Sequence, residues 1–107
     1  MTNKNLIFTL ENGTLRVFII GEINHKNVAE MREKIDGKIR ELSPEKVVLD
    51  LSQLTFMDSS GMGFIIGRNR VVQEIQAVLV IENPNTTIFK ILKCAGVDRL
   101  AKIVTPK

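Results

Sequence analysis

Few residues in this 107-residue chain could do chemistry, and they gather in one stretch, Asp58-Ser59-Ser60-Gly61. Asp and Ser ahead of an apolar-periodic run offer side-chain oxygens to the unpaired backbone N–H groups that open a helix. Taken alone, the cluster reads as an ordinary helix cap. Other chemistries are poorly supplied. His25 is the only histidine and reads as an exposed loop residue, the serines lack a G-x-S-x-G elbow, and no Cys/His set is available to hold a catalytic metal. A phosphate-cradling G-x-x-x-x-G-K-[ST] run is missing, so these residues do not support nucleotide binding. Cys94 is the lone cysteine, which excludes an internal disulfide, fits a reducing compartment and reads as a small buried hydrophobe. The expectation is a protein that is not an enzyme, with no metal and no cofactor.

The elements that must position the cluster emerge from periodicity. Leu6 to Leu10 and Leu15 to Ile20 are short strand-like runs around Asn12-Gly13, a step that supplies the positive φ angles of a tight hairpin. Val28, Met31, Ile35, Ile39 and Leu42 recur at spacings of three and four, predicting a helix capped by Asn24 or Asn27 and ended by Ser43-Pro44. Val47 to Leu51 reads as a central strand covered on both faces. A turn through Thr55-Phe56-Met57 then reaches Asp58, where a second helix opens and runs to about Gln76. Ala77 to Ile81 reads as a buried strand, Asn83 to Thr87 as a turn ending in a cap, and Ile88, Ile91, Leu92 and Ala95 as the stripe of a third helix ended by Gly96. Leu100 to Val104 is a last edge element. The alternation implies an α/β domain with parallel neighbours joined by helices.

Composition bounds the rest. Hydrophobic residues at 44% and charged residues at 25% are globular proportions, and the aliphatic runs fall far short of the roughly 20 residues of a membrane span. The first residues do not read as a secretory signal, so a cytoplasmic protein is expected. A net charge of +3 is spread from Lys4 to Lys107, and five Phe with no Trp or Tyr give little for nucleic-acid stacking.

The run FMDSSGMGFIIGR, from Phe56 to Arg68, closely resembles the phosphorylation-site signature of STAS-domain anti-sigma factor antagonists, above all the sporulation-type branch. Gly21-Glu22-Ile23-Asn24 is similar to that family's GE-aliphatic-Asp loop, and the resemblance extends over nearly the whole chain. It implies a STAS-like α/β fold in one domain, residues 1–107, with a mixed sheet, an N-terminal hairpin and parallel strands connected by helices. It places the phosphorylated residue, the first Ser after Asp, at Ser59, with Asn24, Asp58, Ser60 and Gly61 as partner contacts. It further implies a cycle. The unmodified protein captures an anti-sigma factor that is itself a Ser/Thr kinase, a sigma factor is freed, ATP-dependent phosphorylation ends the capture, and a PP2C-type phosphatase restores the active form. No direct contact with nucleic acid or membrane is implied, and the protein is expected as a monomer or weak dimer.

Local physics agrees with the sign of that switch. A phosphate at a helix start meets free N–H groups and the positive dipole end, so the fold tolerates it, whereas a dianion pressed into a partner loses hydration. Ser60 is expected to bond the first helical turn while Ser59 offers its hydroxyl to the kinase. A helical wheel turns Phe64, Ile65, Val71, Val72 and Ile75 toward the sheet. Met62 and Ile66 fall on another side, as partner contacts or as packing against a neighbouring helix. Gly63 and Gly67 permit close approach of another backbone, and Arg68 and Arg70 read as exposed, solvated arginines. Two departures from the family pattern stand out: Asn24 where many relatives carry Asp, and Gln76-Ala77 where close relatives often have a Gly pair. The alternatives are a STAS module of a stress-signalling or transporter complex in which Ser59 is only structural, and a basic nucleic-acid binder.

Overall fold

Asn12 and Gly13 both take positive φ, 51° and 79°, and this pair closes strands β1 (Leu6–Glu11) and β2 (Thr14–Ile19) into an antiparallel hairpin in which Glu11 faces Thr14. Two positive angles in succession give the turn twist that matches the strands, which is why Asn-Gly sits there. The computed structural model describes residues 5–106. After the hairpin come β3 (Gly21–Ile23), α1 (Val28–Leu42), β4 (Lys46–Asp50), β5 (Leu54–Met57), α2 (Ser60–Glu74), β6 (Val78–Glu82), α3 (Thr86–Cys94), a short 3-10 turn (Val97–Arg99) and β7 (Lys102–Val104).

The main sheet has the order β1-β2-β4-β6-β7, antiparallel in the hairpin and parallel from β2 onward, so the predicted mixed sheet stands. β4 is its middle strand, and Val47, Val48 and Leu49 are wholly buried. Leu15, Val17 and Ile19 of β2, Val47 and Leu49 of β4, and Leu79 and Ile81 of β6 alternate onto one face. They join Met31, Ile35 and Ile39 of α1, Phe64, Ile65, Val71 and Val72 of α2, and Ile88 and Leu92 of α3 in a single hydrophobic cluster. The stripes read from sequence on all three helices are the ones that pack, except that Ala95, at the C-cap of α3, is exposed.

On the other sheet face Arg16 reaches across three strands, 3.0 Å from Asp50 and 2.6 Å from Glu82. Asp50 Oδ1 also accepts the Ser52 N–H at 3.0 Å, which fixes the chain as it leaves β4.

Several local expectations are corrected. Thr55-Phe56-Met57 is not a turn but most of β5, which pairs in parallel with β3 as a second, two-stranded sheet. With four residues and only Leu54 and Met57 buried, β5 lacks the alternation that marks a strand. Cys94 is exposed near the end of α3, not buried. Arg68 is buried, not solvated: Nε lies 2.8 Å from Asp36 Oδ1 on α1, and the guanidinium carbon is 5.2 Å from the centre of the Phe64 ring. Arg70 is exposed, as expected. Gly63 and Gly67 have open space where a Cβ would stand, so among the described residues no other backbone uses them for close approach. Gln76 adopts φ of 60°, the turn conformation that a Gly pair would take without strain.

Candidate functional site

β3 and β5 run in parallel with Ile23 opposite Met57, so both strands deliver their ends to the same place. Each strand leads into a tight turn and then a helix: Asn24–Asn27 into α1, and Asp58-Ser59 into α2. The site is thus built where carboxyl ends of parallel strands meet helix starts, the position at which open α/β sheets place their functional groups.

Asn24 organises the first turn. Its side-chain oxygen accepts the N–H groups of Lys26 at 2.9 Å and Asn27 at 3.1 Å, and its carbonyl accepts those of Asn27 and Val28. Asn27 occupies the N-cap position of α1 without a side-chain cap bond, because its Oδ1 accepts the Asn24 N–H instead. The Asn24 amide donates to Glu22 at 3.3 Å, a bond that an Asp in its place would turn into repulsion.

Asp58 joins the two turns. Its backbone N–H donates to the Ile23 carbonyl at 3.0 Å. Oδ1 accepts the Ser60 N–H at 2.9 Å and the Ser60 hydroxyl, while Oδ2 accepts the His25 N–H at 3.0 Å and lies 3.4 Å from His25 Nδ1. These bonds, led by the Ser60 hydroxyl, hold the Asp58 carboxyl down at about 2. The cap of α2 therefore belongs to Asp58. Contrary to the expectation from sequence, Ser60 spends its hydroxyl on Asp58 and not on the first turn of the helix.

Ser59, at the N-cap position, is exposed and makes no side-chain cap bond. Its hydroxyl is left at the tip of α2, next to a fixed carboxylate. Gly61 is buried, and a Cβ there would overlap Cγ and Sδ of Met57, so its part is to let the end of β5 fold tightly onto α2. That packing accounts for the glycine.

Met62 is half-buried and, with Lys90, Ile91, Cys94 and Ala95, lines a shallow apolar groove of about 430 Å³ between α2 and α3. Ile66 also packs against the core and does not line that groove. Sequence reasoning brought Asn24, Asp58, Ser59 and Ser60 together correctly. It missed His25 as a member of the site, although its place directly after Asn24 was a signal.

A parallel αβ layer whose paired strand ends present an exposed serine at a helix tip is the arrangement of the STAS domain. The model of that family matches residues 6–105, and the chain belongs to it. Among curated relatives, the anti-sigma F factor antagonist of Lysinibacillus sphaericus is 33% identical over 88 residues, 82% of this chain and 74% of the relative. The anti-sigma F factor antagonist of Paenibacillus polymyxa is 31% identical over 101 residues, 92% of this chain and 86% of the relative. Among solved structures, the anti-sigma factor antagonist SpoIIAA in its unphosphorylated form superposes with a TM-score of 0.80 at 26% identity, covering 94% of this chain and 88% of that one. The phosphorylated form of the Bacillus cell fate determinant SpoIIAA gives a TM-score of 0.72 at 26% identity, covering 94% and 91%. Among the described residues, no helix is long and apolar enough to cross a membrane, and no group of His, Cys, Asp and Glu could hold a metal ion.

Proposed function

We propose that this chain is an anti-sigma factor antagonist that binds an anti-sigma factor with Ser/Thr kinase activity, and that phosphorylation of Ser59 switches the binding off. The observation that carries the proposal is the division of roles at the tip of α2: Asp58 does the capping and Ser60 is tied to it, while the Ser59 hydroxyl is exposed and makes no side-chain cap bond. A reading in which Ser59 is purely structural has no such bond to rest on. Relatives named as anti-sigma F factor antagonists, and the two SpoIIAA forms that share this fold, support the same assignment.

In the transfer, Ser59 Oγ bonds to the γ-phosphorus of ATP, the bond to the bridging oxygen breaks, ADP leaves and the hydroxyl proton is released. The product adds a charge of about −1.5 to −2 beside an Asp58 that is already ionised. The helix start stabilises that charge by about 1 kcal/mol, whereas burying it uncompensated against a partner costs several, so the phosphorylated protein stays folded and lets go. Removal of the phosphate falls to a PP2C-type phosphatase. The protein works in the cytoplasm, as monomer or weak dimer, as substrate and regulator and not as catalyst.

Ser59→Ala and Ser59→Asp test the reading by pull-down of the kinase from the source cell. Constitutive capture by the first and poor capture by the second are expected; equal capture would count against it.

A further inference from the structure

An edge strand invites another strand unless it is short, charged, bulged or covered. β7, one edge of the main sheet, has three residues and begins with a lysine, and β3 and β5 of the small sheet have three and four. β1, the other edge of the main sheet, is different. It has six residues, no proline, a single charge at its last position, and a register with β2 that runs unbroken from Leu6 to Glu11.

Backbone groups along an antiparallel strand point alternately toward its neighbour and away from it. The Ile20 N–H donates to the Asn5 carbonyl at 2.8 Å, so Asn5, and with it Ile7, Thr9 and Glu11, directs its backbone groups at β2. Leu6, Phe8 and Leu10 therefore direct theirs at the free edge, where no hydrogen bond among the described residues takes them. The same three residues stand opposite Ile19, Val17 and Leu15, on the helix-bearing face, with Lys38 Nζ of α1 6.0 Å from the centre of the Phe8 ring. Leu6 is buried and Phe8 half-buried, but Leu10 is 51% exposed, and on the opposite face Ile7 is 50% exposed.

This pattern is complementary to itself. A second β1 running antiparallel and centred on Phe8 sets Phe8 opposite Phe8, Leu6 opposite Leu10 and Ile7 opposite Thr9, and each outward N–H and C=O of one copy meets one of the other. The leucines and phenylalanines of both copies then form one apolar row that covers the exposed Leu10 side chains. Charges do not oppose it. Glu11 lies beyond these pairs, and Lys38, the cation above Phe8, is accompanied by Glu41 of its own helix at 3.8 Å. A strand of unrelated sequence would satisfy the backbone groups without repeating the match of Leu10 to Leu6 through a two-fold axis.

We propose that β1 is a self-association edge: two copies pair through it, antiparallel about Phe8, and join their five-stranded sheets into one of ten. Six residues a side make a small contact, so the dimer is weak and forms at high concentration. The pairing uses no residue of the Asp58-Ser59 tip, so it stands or falls independently of the proposed function.

Sedimentation equilibrium of the full chain from micromolar to millimolar concentration, with reductant to keep the exposed Cys94 a thiol, is expected to show a reversible monomer–dimer equilibrium. In a mixture of isotope-labelled and unlabelled chains, an intermolecular NOE between the Hα atoms of Ile7 and Thr9 reads the register, because a non-hydrogen-bonded pair holds its Cα atoms about 4.5 Å apart. Leu10→Pro removes an outward N–H and leaves the bonds to β2 in place. Ile7→Lys sets two like charges on one face across the axis. Each change counts twice in the dimer, so either is expected to weaken association at least about tenfold while circular dichroism stays native. Ile7→Lys decides alone where Leu10→Pro disturbs the hairpin, since its side chain is half exposed. A chain that stays monomeric at millimolar concentration would overturn the proposal. So would a dimer that the folded variants leave intact, or one without the Ile7–Thr9 contact, since its interface would lie elsewhere.

Discussion

Ser59 owes its availability to its neighbour. Asp58 satisfies the start of α2 with Oδ1 and the Asn24–His25 turn with Oδ2, so the serine between cap and helix has no structural bond to give up. The same bonds stabilise the ionised Asp58 and lower its carboxyl from 3.8 to about 2. A lowered carboxylate adds stability above its unfolded value and loses it as pH falls through the folded one. The tether between the two turns is therefore expected to be complete above about pH 4 and to fail toward about pH 2, with the His25 and Ser60 amide resonances moving together; amides that stay fixed through that range would contradict it. At Gly61 a methyl group must displace the Met57 side chain. Gly61→Ala is expected to cost about 1 to 3 kcal/mol in urea denaturation. Its effect should be non-additive with Met57→Ala, because the two side chains compete for one space. Asn24→Asp keeps the turn's acceptor but sets a second carboxylate against Glu22, so a loss of up to about 1 kcal/mol that salt diminishes is expected.

The helices were legible because each buries one stripe, and a stripe leaves a period of three and four in the sequence. The hairpin was legible through Asn12-Gly13, and β4 through an unbroken apolar run. The two shortest strands near the site were not. β3 has three residues and β5 four, too few to display a period of two, and they are held by pairing with each other, a relation between residues more than thirty apart. Arg68 was misread for a related reason. Its charge predicts exposure, and only the fold reveals that Asp36 of α1 stands opposite. Burial pushes the Asp36 carboxyl up and the Arg68 guanidinium down, each opposed by the charge of the other. The Nε–Oδ1 approach is an ion pair without hydrogen-bond alignment, and Arg68 Nη1 is buried without a hydrogen-bond partner. Asp36→Ala, which strands a buried cation, is expected to lose about 3 to 5 kcal/mol by chemical denaturation, while the joint change Asp36→Leu with Arg68→Met should lose far less. Equal losses would show that the pair does more than cancel its own burial.

Taken together, the elements form a rigid base under a small exposed tip. The parallel strands of the main sheet carry the helices on one face and the Arg16–Asp50–Glu82 contact on the other, and the pairing of β3 with β5 sets the ends of those two strands side by side. On the proposed function, the switch is a change of surface charge and not of shape. The site was readable from sequence through the contiguous Asp58-Ser59 motif and, by resemblance, the Asn24 loop; the bonds that tie His25 to Asp58 depend on the β3–β5 pairing, a contact between residues far apart in the chain. The most direct measurement is to mix the protein with its cognate kinase and ATP, and to follow the modified residue by mass spectrometry and the complex by size exclusion. One phosphate on Ser59, with dissociation of the complex and a backbone NMR spectrum unchanged away from the tip of α2, is the expected result. A complex that survives stoichiometric phosphorylation of Ser59 would contradict it.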